Sequence, residues 1–178
     1  RLPANFADKD TTMLRNGLAA LVGVIAAVIL TMILQLVVHS IDPPSRELND
    51  AIGKIYDQDP AVIEEAREIF ARELPKHPLQ LVLVIATHAA GTFFGSFTAV
   101  RISREAHIIP ASIVAGLMLL RGVSTVMLIP HPAWFNAVDL LLYIPAALLA
   151  WKLVSPGPSH NEVDPVPPNN DHSTTTTT

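Results

Sequence analysis

Apolar and polar residues in this chain alternate in long blocks. Four apolar runs, roughly 15–39, 79–101, 108–129 and 134–154, are separated by polar stretches. Each is about the 20 residues that a helix needs to cross the hydrocarbon of a bilayer. The predicted fold is therefore all-α, a four-transmembrane-helix bundle, with an N-terminal cytoplasmic segment at 1–13, a membrane domain at 14–154 and a tail at 155–178. Only Pro130, His131, Pro132 and Ala133 join the last two runs, which predicts a tight helical hairpin. Pro145 is expected to kink the fourth helix, while Pro110 falls in the first turn of the third, where proline is tolerated.

The outer loop, 40–78, is too long to lack structure. Pro43 and Pro44 end the first run, and Ser45 is placed to cap a short helix with Leu48, Ile52, Ile55 and Tyr56 on one face. Asp59 and Pro60 read as the N-cap and first residue of a second helix. That helix aligns Val62, Ala66, Ile69, Phe70 and Leu74 in one stripe, with acids and arginines opposite. Two short amphipathic helices are expected, serving as a lid on the bundle or as a docking surface for a partner or lipid headgroups.

Inside the apolar runs, glycine is costly to a helix, by roughly 1 kcal/mol against alanine. Helix 2 nevertheless carries Thr87, Gly91, Gly95 and Ala99 at four-residue spacing, and helix 1 carries Ala19, Gly23, Ala27 and Thr31. Such stripes let helix backbones approach closely in lipid. Helices 1 and 2 are expected to cross along them; the alternative is a stripe that faces another subunit. Ser112 and Gly116 form a shorter pair in helix 3.

Counting at 1.5 Å per residue puts His88, Arg121 and Asp139 all roughly 10–14 Å below the outer boundary, with Thr31 and Gln35 in the same outer half and Asn136 a turn above. Ionisable groups at that depth should face inward and be paired. Arg121 and Asp139, on adjacent antiparallel helices, are the expected pair, through a bidentate contact, with His88 either donating to Asp139 or remaining neutral. The layer reads as a structural clasp, as a polar site for a proton, ion or small ligand, or, through His88, as an axial ligand to haem or chlorophyll. His39, His77 and His131 lie near the outer interface and match no metal motif; they read as interfacial loop histidines. Trp134 and Phe135 read as outer aromatic anchors and Trp151 as the inner one.

Composition sharpens this picture. Half of the 178 residues are hydrophobic and only 16% are charged, against about 25% in soluble domains. Without cysteine, disulfides, thiolate metal sites and Cys nucleophiles are excluded. The net charge of −4 leaves no footprint for nucleic acid. Lys9, Arg15, Arg101, Arg104 and Lys152 flank one set of helix ends, which predicts both termini in the cytoplasm. The outer loop weighs against this with five basic residues, which nine acids outnumber.

The stretch from Met13 resembles a secretory signal, but its apolar run is longer than a signal core and no small-x-small site precedes His39, so a retained helix is expected. The tail, rich in Pro, Asn, Ser and Thr, cannot bury a core and is expected to order only against a neighbour. Neither a nucleophile elbow, a Walker loop nor an HExxH motif is present; Ser112 and Ser124 carry no mark of activation. No enzyme, cofactor or metal is expected.

The run MLIPHPAWF at 127–135, the following LLLYIPAALLAWKL at 140–153 and the GTFFGSFTAVRI of helix 2 resemble a group of small bacterial four-helix integral membrane proteins. The resemblance covers roughly 14–154. It implies the four-helix topology and no activity. The expected function is a non-catalytic structural or accessory subunit of a larger bacterial inner-membrane complex, respiratory or photosynthetic, with lipid and other membrane subunits as partners through the stripes, outer loop and tail. The alternative is a small transporter or channel component, working as an oligomer through the His88, Arg121 and Asp139 layer.

Overall fold

The computed structural model describes residues 5–103 and 108–155. The tail beyond 155, the first four residues and Arg104 lie outside the described residues. The elements are α1 (Asn5–Ile41), α2 (Arg46–Lys54), α3 (Pro60–Glu73), a 3₁₀ turn at Leu74–Lys76, α4 (Pro78–Ser103), α5 (Ile109–Leu128) and α6 (Ala133–Val154). No strand occurs among the described residues. Four helices, Thr11–Ile41 within α1 and the whole of α4, α5 and α6, are long and apolar enough to cross a membrane. The chain is an all-α, multi-pass membrane-spanning bundle.

Prolines punctuate these helices. α1 stops before Pro43 and Pro44, α4 opens on Pro78, α5 takes Pro110 into its first turn, and Pro130 and Pro132 flank the turn into α6. α6 runs on through Pro145 to Val154. α1 departs from expectation at its start. It begins at Asn5, well before the apolar run, because nothing between Asn5 and Met13 breaks a helix; hydropathy marks where the membrane begins, not where the helix does.

α4 is the pivot. It packs on α1, α5 and α6, and α5 packs on α1 and α6, so α1 and α6 stand at opposite corners. The tightest of these interfaces is α1 on α4. A β-carbon built on Gly23 would lie 2.6 Å from the Gly95 carbonyl oxygen and 2.7 Å from the Ala99 β-carbon. One on Gly95 would lie 2.6 Å from both the Gly23 carbonyl oxygen and the Ala27 β-carbon. One on Gly91 would run into the Thr31 hydroxyl. The two stripes therefore meet each other, and neither is left for a second protein. Gly116, with Ser112, lies on the outer face of α5, with nothing within 4 Å of its would-be β-carbon.

α2 and α3 fold back over the end of the bundle where α1 stops and α4 begins. Ser45 caps α2 by accepting from the Leu48 amide, and Asp59 caps α3 by accepting from Ala61. Leu48, Ala51, Ile55, Ala66, Phe70 and Leu74 form one core with Leu81, Ile85 and Phe135. The apolar faces thus serve as a lid. The buried face of α2 is Leu48, Ala51 and Ile55; Ile52 and Tyr56, expected beside them, are 41% and 74% exposed. Phe135, expected as an interfacial anchor, is instead buried under the lid. Ion pairs join the two lid helices, Arg72 to Glu47 at 2.7 Å and Lys54 to Glu65 at 2.9 Å, and Arg67 donates to the Met127 carbonyl at the end of α5. Hydrogen bonds from Lys76 and Arg72 hold the Glu73 carboxyl below its ordinary pKa.

Gly95→Ala forces a methyl against the Gly23 carbonyl and is expected to lower stability by about 1–3 kcal/mol, the usual cost of overpacking. Gly116→Ala meets open space and should be neutral or stabilising by up to about 1 kcal/mol. Thermal unfolding of the two variants in detergent micelles checks this contrast.

Candidate functional site

The glycine crossing sets the register of α1 on α4. Because the helices are antiparallel, each turn along α1 toward the lid is matched by a turn back along α4, from Gly23 beside Ala99, through Ala27 beside Gly95, to Thr31 beside Gly91. One turn further out, Gln35 meets His88. From the other side α6 brings Asp139, whose Oδ1 lies 2.8 Å from His88 Nδ1. Tyr143 sits one turn after Asp139 on the same face and donates to Asp139 Oδ2 at 3.3 Å. Gly122 of α5 makes room for it; a β-carbon there would lie 3.0 Å from the Tyr143 ring and hydroxyl.

The hydrogen-bond chemistry assigns the tautomer. An ionised carboxylate only accepts, so His88 Nδ1–H donates to Asp139. In neutral His88, Nε2 then accepts from the Gln35 amide, 3.3 Å away. Both ring nitrogens are thus engaged, which leaves His88 no free nitrogen for a haem or chlorophyll in this arrangement. Asp139 is 4% exposed and Tyr143 2%. The layer ties α1, α4 and α6 together at one depth.

Arg121 does not take the expected place. The bidentate pair with Asp139 is not formed; Asp139 is held by His88 and Tyr143 instead. Among the described residues, no hydrogen bond or ion pair reaches the Arg121 guanidinium, and the residue is exposed. The reason is angular. Matched depth says nothing about which way a helix face points, and successive residues on a helix turn by about 100°. Gly122 faces inward against Tyr143, which swings Arg121 round to the wall of a cavity.

That cavity, about 320 Å³, lies between the layer and the lid. His88, Asp139, Tyr143, Gln35 and Arg121 border it from the bundle, while Tyr56, Phe70 and Leu74 close it from the lid side. His39 and His131 also reach it. His39 Nδ1 is committed to the Gln35 backbone carbonyl at 2.8 Å. His131 stacks on Phe135, with ring centroids 4.6 Å apart, and its Nδ1 donates to the Ile129 carbonyl at 2.8 Å. Among the described residues, no three His, Asp or Glu side chains gather as metal ligands. Ser112 lines a separate outer groove between α5 and α6, and the exposed Ser124 donates to its own helix at the Leu120 carbonyl, so neither meets the polar layer.

Comparison with protein-family models, with curated proteins and with solved structures finds no match. The site's chemistry therefore rests on its own geometry. It offers an anchored imidazole–carboxylate pair, a phenol, an amide that can turn over, and one guanidinium beside a partly open cavity. Gln35 stood among the outer-half polar residues in the sequence. Tyr143 and Gly122 were missed there, although the four-residue step from Asp139 to Tyr143 carried the signal for the first.

His131 gives a pH prediction. Burial pushes its imidazole below the ordinary histidine pKa, only partly opposed by the bond to Ile129 and by Asp139. The fold favours the neutral ring, so its contribution to stability is complete above the unfolded-chain value of about 6.5. It is lost as the pH falls below that. Between about pH 7.5 and about pH 5 the unfolding temperature should fall further for the natural chain than for His131→Phe. Melting curves of both proteins across that range decide it.

Proposed function

We propose that this chain is a multi-pass protein of a bacterial inner membrane, with both termini cytoplasmic, and that it works as a small transporter component. Its solute occupies the layer of His88, Asp139, Tyr143, Gln35 and Arg121 beneath the lid. The observation that carries this reading is that the layer borders a cavity. A clasp whose only task is to fix helix register would be packed over, and an arginine would not stand unpaired beside it.

The lid, with its acids, lies at one end of the bundle; Arg15, Arg101 and Lys152 lie toward the other, and the positive-inside rule puts that second end in the cytoplasm. The resemblance to small bacterial four-helix membrane proteins agrees with the four-span topology.

An accessory-subunit role is the second reading. The observation in its favour is the outer face of α1, where Leu18, Ile25, Ile29, Met32 and Leu36 are all more than half or about half exposed. Extraction from the native membrane in mild detergent, followed by particle mass and identification of what copurifies, separates the two. A large assembly of fixed composition favours the subunit; one to a few copies of this chain favour the transporter.

Replacing His88 and Asp139 together by Leu tests the layer itself. A buried pair exchanged for apolar residues is often tolerated by the fold. The double variant should therefore insert and remain folded, yet solute movement in vesicles should drop at least a hundredfold, as expected when a buried partner of a ligand is lost at about 3 kcal/mol. Uptake unchanged from the natural chain would reduce the layer to a clasp.

A further inference from the structure

Arg121 is a charged group on the cavity wall whose guanidinium no hydrogen bond or ion pair reaches among the described residues. A guanidinium keeps its charge at any physiological pH. Placed within an apolar span, it requires an anion or water nearby. Among the described residues Asp139 is the only carboxylate bordering the cavity, and it is already held by His88 and Tyr143. The cavity falls within the size range of small-molecule sites, about 300–1,000 Å³.

Charge balance then links two events. With His88 neutral, Arg121 and Asp139 cancel. An incoming anion would leave the layer, in which Asp139 and Tyr143 are buried, with one net negative charge, which low-dielectric surroundings oppose. One proton taken up by the His88–Asp139 pair restores neutrality. Gln35 suits both states. Its amide NH₂ faces His88 Nε2 when the ring is neutral, and turning the amide over presents Oε1 to a protonated Nε2–H. The other titratable or charged groups facing the layer are His39 from α1, Tyr56 beyond α2, Arg121 from α5, His131 from the α5–α6 turn and Tyr143 from α6; α3 contributes only Phe70. His39 and His131 each donate Nδ1–H to a backbone carbonyl, whereas His88, among these imidazoles, has a hydrogen-bonded carboxylate to balance an added positive charge, which points the proton to the His88–Asp139 pair.

From this geometry we infer that the cavity takes up one small oxyanion, a carboxylate or a phosphate, on Arg121 together with one proton on the His88–Asp139 pair. The inference rests on the layer being a solute site and names the solute's chemistry. The oxyanion comes either from the outer solution or from the headgroup of an acidic lipid.

The test uses the full chain in neutral detergent, titrated calorimetrically with sodium lactate and, separately, with sodium phosphate. Running each titration in two buffers of different ionisation enthalpy counts the protons taken up. The expected result is one anion bound with about one proton, and an affinity that weakens about tenfold per pH unit on the alkaline side. Arg121→Gln should weaken binding at least tenfold while unfolding at nearly the same temperature as the natural chain, because among the described residues the guanidinium makes no hydrogen bond or ion pair. Arg121→Lys should recover part of the loss.

If neither soluble anion binds, the same proteins are compared in nanodiscs of phosphatidylglycerol and of phosphatidylcholine. Stabilisation by phosphatidylglycerol that grows as pH falls, and that Arg121→Gln lacks, assigns the oxyanion to a lipid headgroup and supports the inference. Binding without proton uptake overturns it, as does binding unaffected by Arg121→Gln, or no response to any of the three anions. In these cases, cation or neutral-solute flux through vesicles that Asp139→Asn stops would keep the broader transporter reading, and an absence of flux would end both.

Discussion

The close crossing of α1 and α4 decides where every other group in this bundle sits. In lipid the helices gain nothing from burying apolar surface, since the solvent is as apolar as they are. Packing and backbone approach must hold them, and Gly23, Gly91 and Gly95 allow an approach that a methyl group at any of the three would obstruct. The same contact fixes rotation and register. It carries Gln35 to His88, and α4 in turn presents His88 to Asp139 of α6. The costly glycines in helix interiors and the polar layer are one construction.

A second constraint follows from the bilayer. Polar groups within the hydrocarbon must be satisfied by the protein, by enclosed water or by a bound solute. His88, Asp139 and Tyr143 satisfy one another. The lid shields their outer side with Phe70 and Leu74 while leaving space between. Arg121 is outside this closed set, on the cavity wall, so a charge within a span faces unfilled volume. That combination separates the layer from a simple helix clasp.

Much of this was legible in the sequence, and the limits have physical reasons. Block hydropathy located four spans because the membrane imposes a length. Ser45 and Asp59 announced both lid helices because capping is a local event, read from a few residues. The glycine stripes foretold a close crossing, although spacing alone could not name the partner helix. Depth along a helix is a matter of counting, which is how His88, Arg121 and Asp139 came together. Rotation about the axis is a tertiary property. The pairing of Arg121 with Asp139 failed on that point, since Gly122 takes the inward position and sends Arg121 aside. Phe135 misled for a similar reason: its neighbours in sequence lie at the interface, and its burial depends on a lid folded back from 60 residues away.

The most direct test of the central claim, that the polar layer borders a cavity beneath the lid that a solute can reach, is single-cysteine labelling. The chain has no cysteine of its own, so one introduced thiol is the only one to react. Thr125→Cys places it on the cavity wall, and Leu141→Cys places one on the 69% exposed face of α6 that meets lipid. Maleimides react with the thiolate, which forms only in contact with water. In intact cells a membrane-impermeant maleimide should label Thr125→Cys from outside and leave Leu141→Cys unmodified. Equal resistance of both thiols, with labelling only after the protein is unfolded, would mean that the layer is sealed and that its polar groups serve the fold alone.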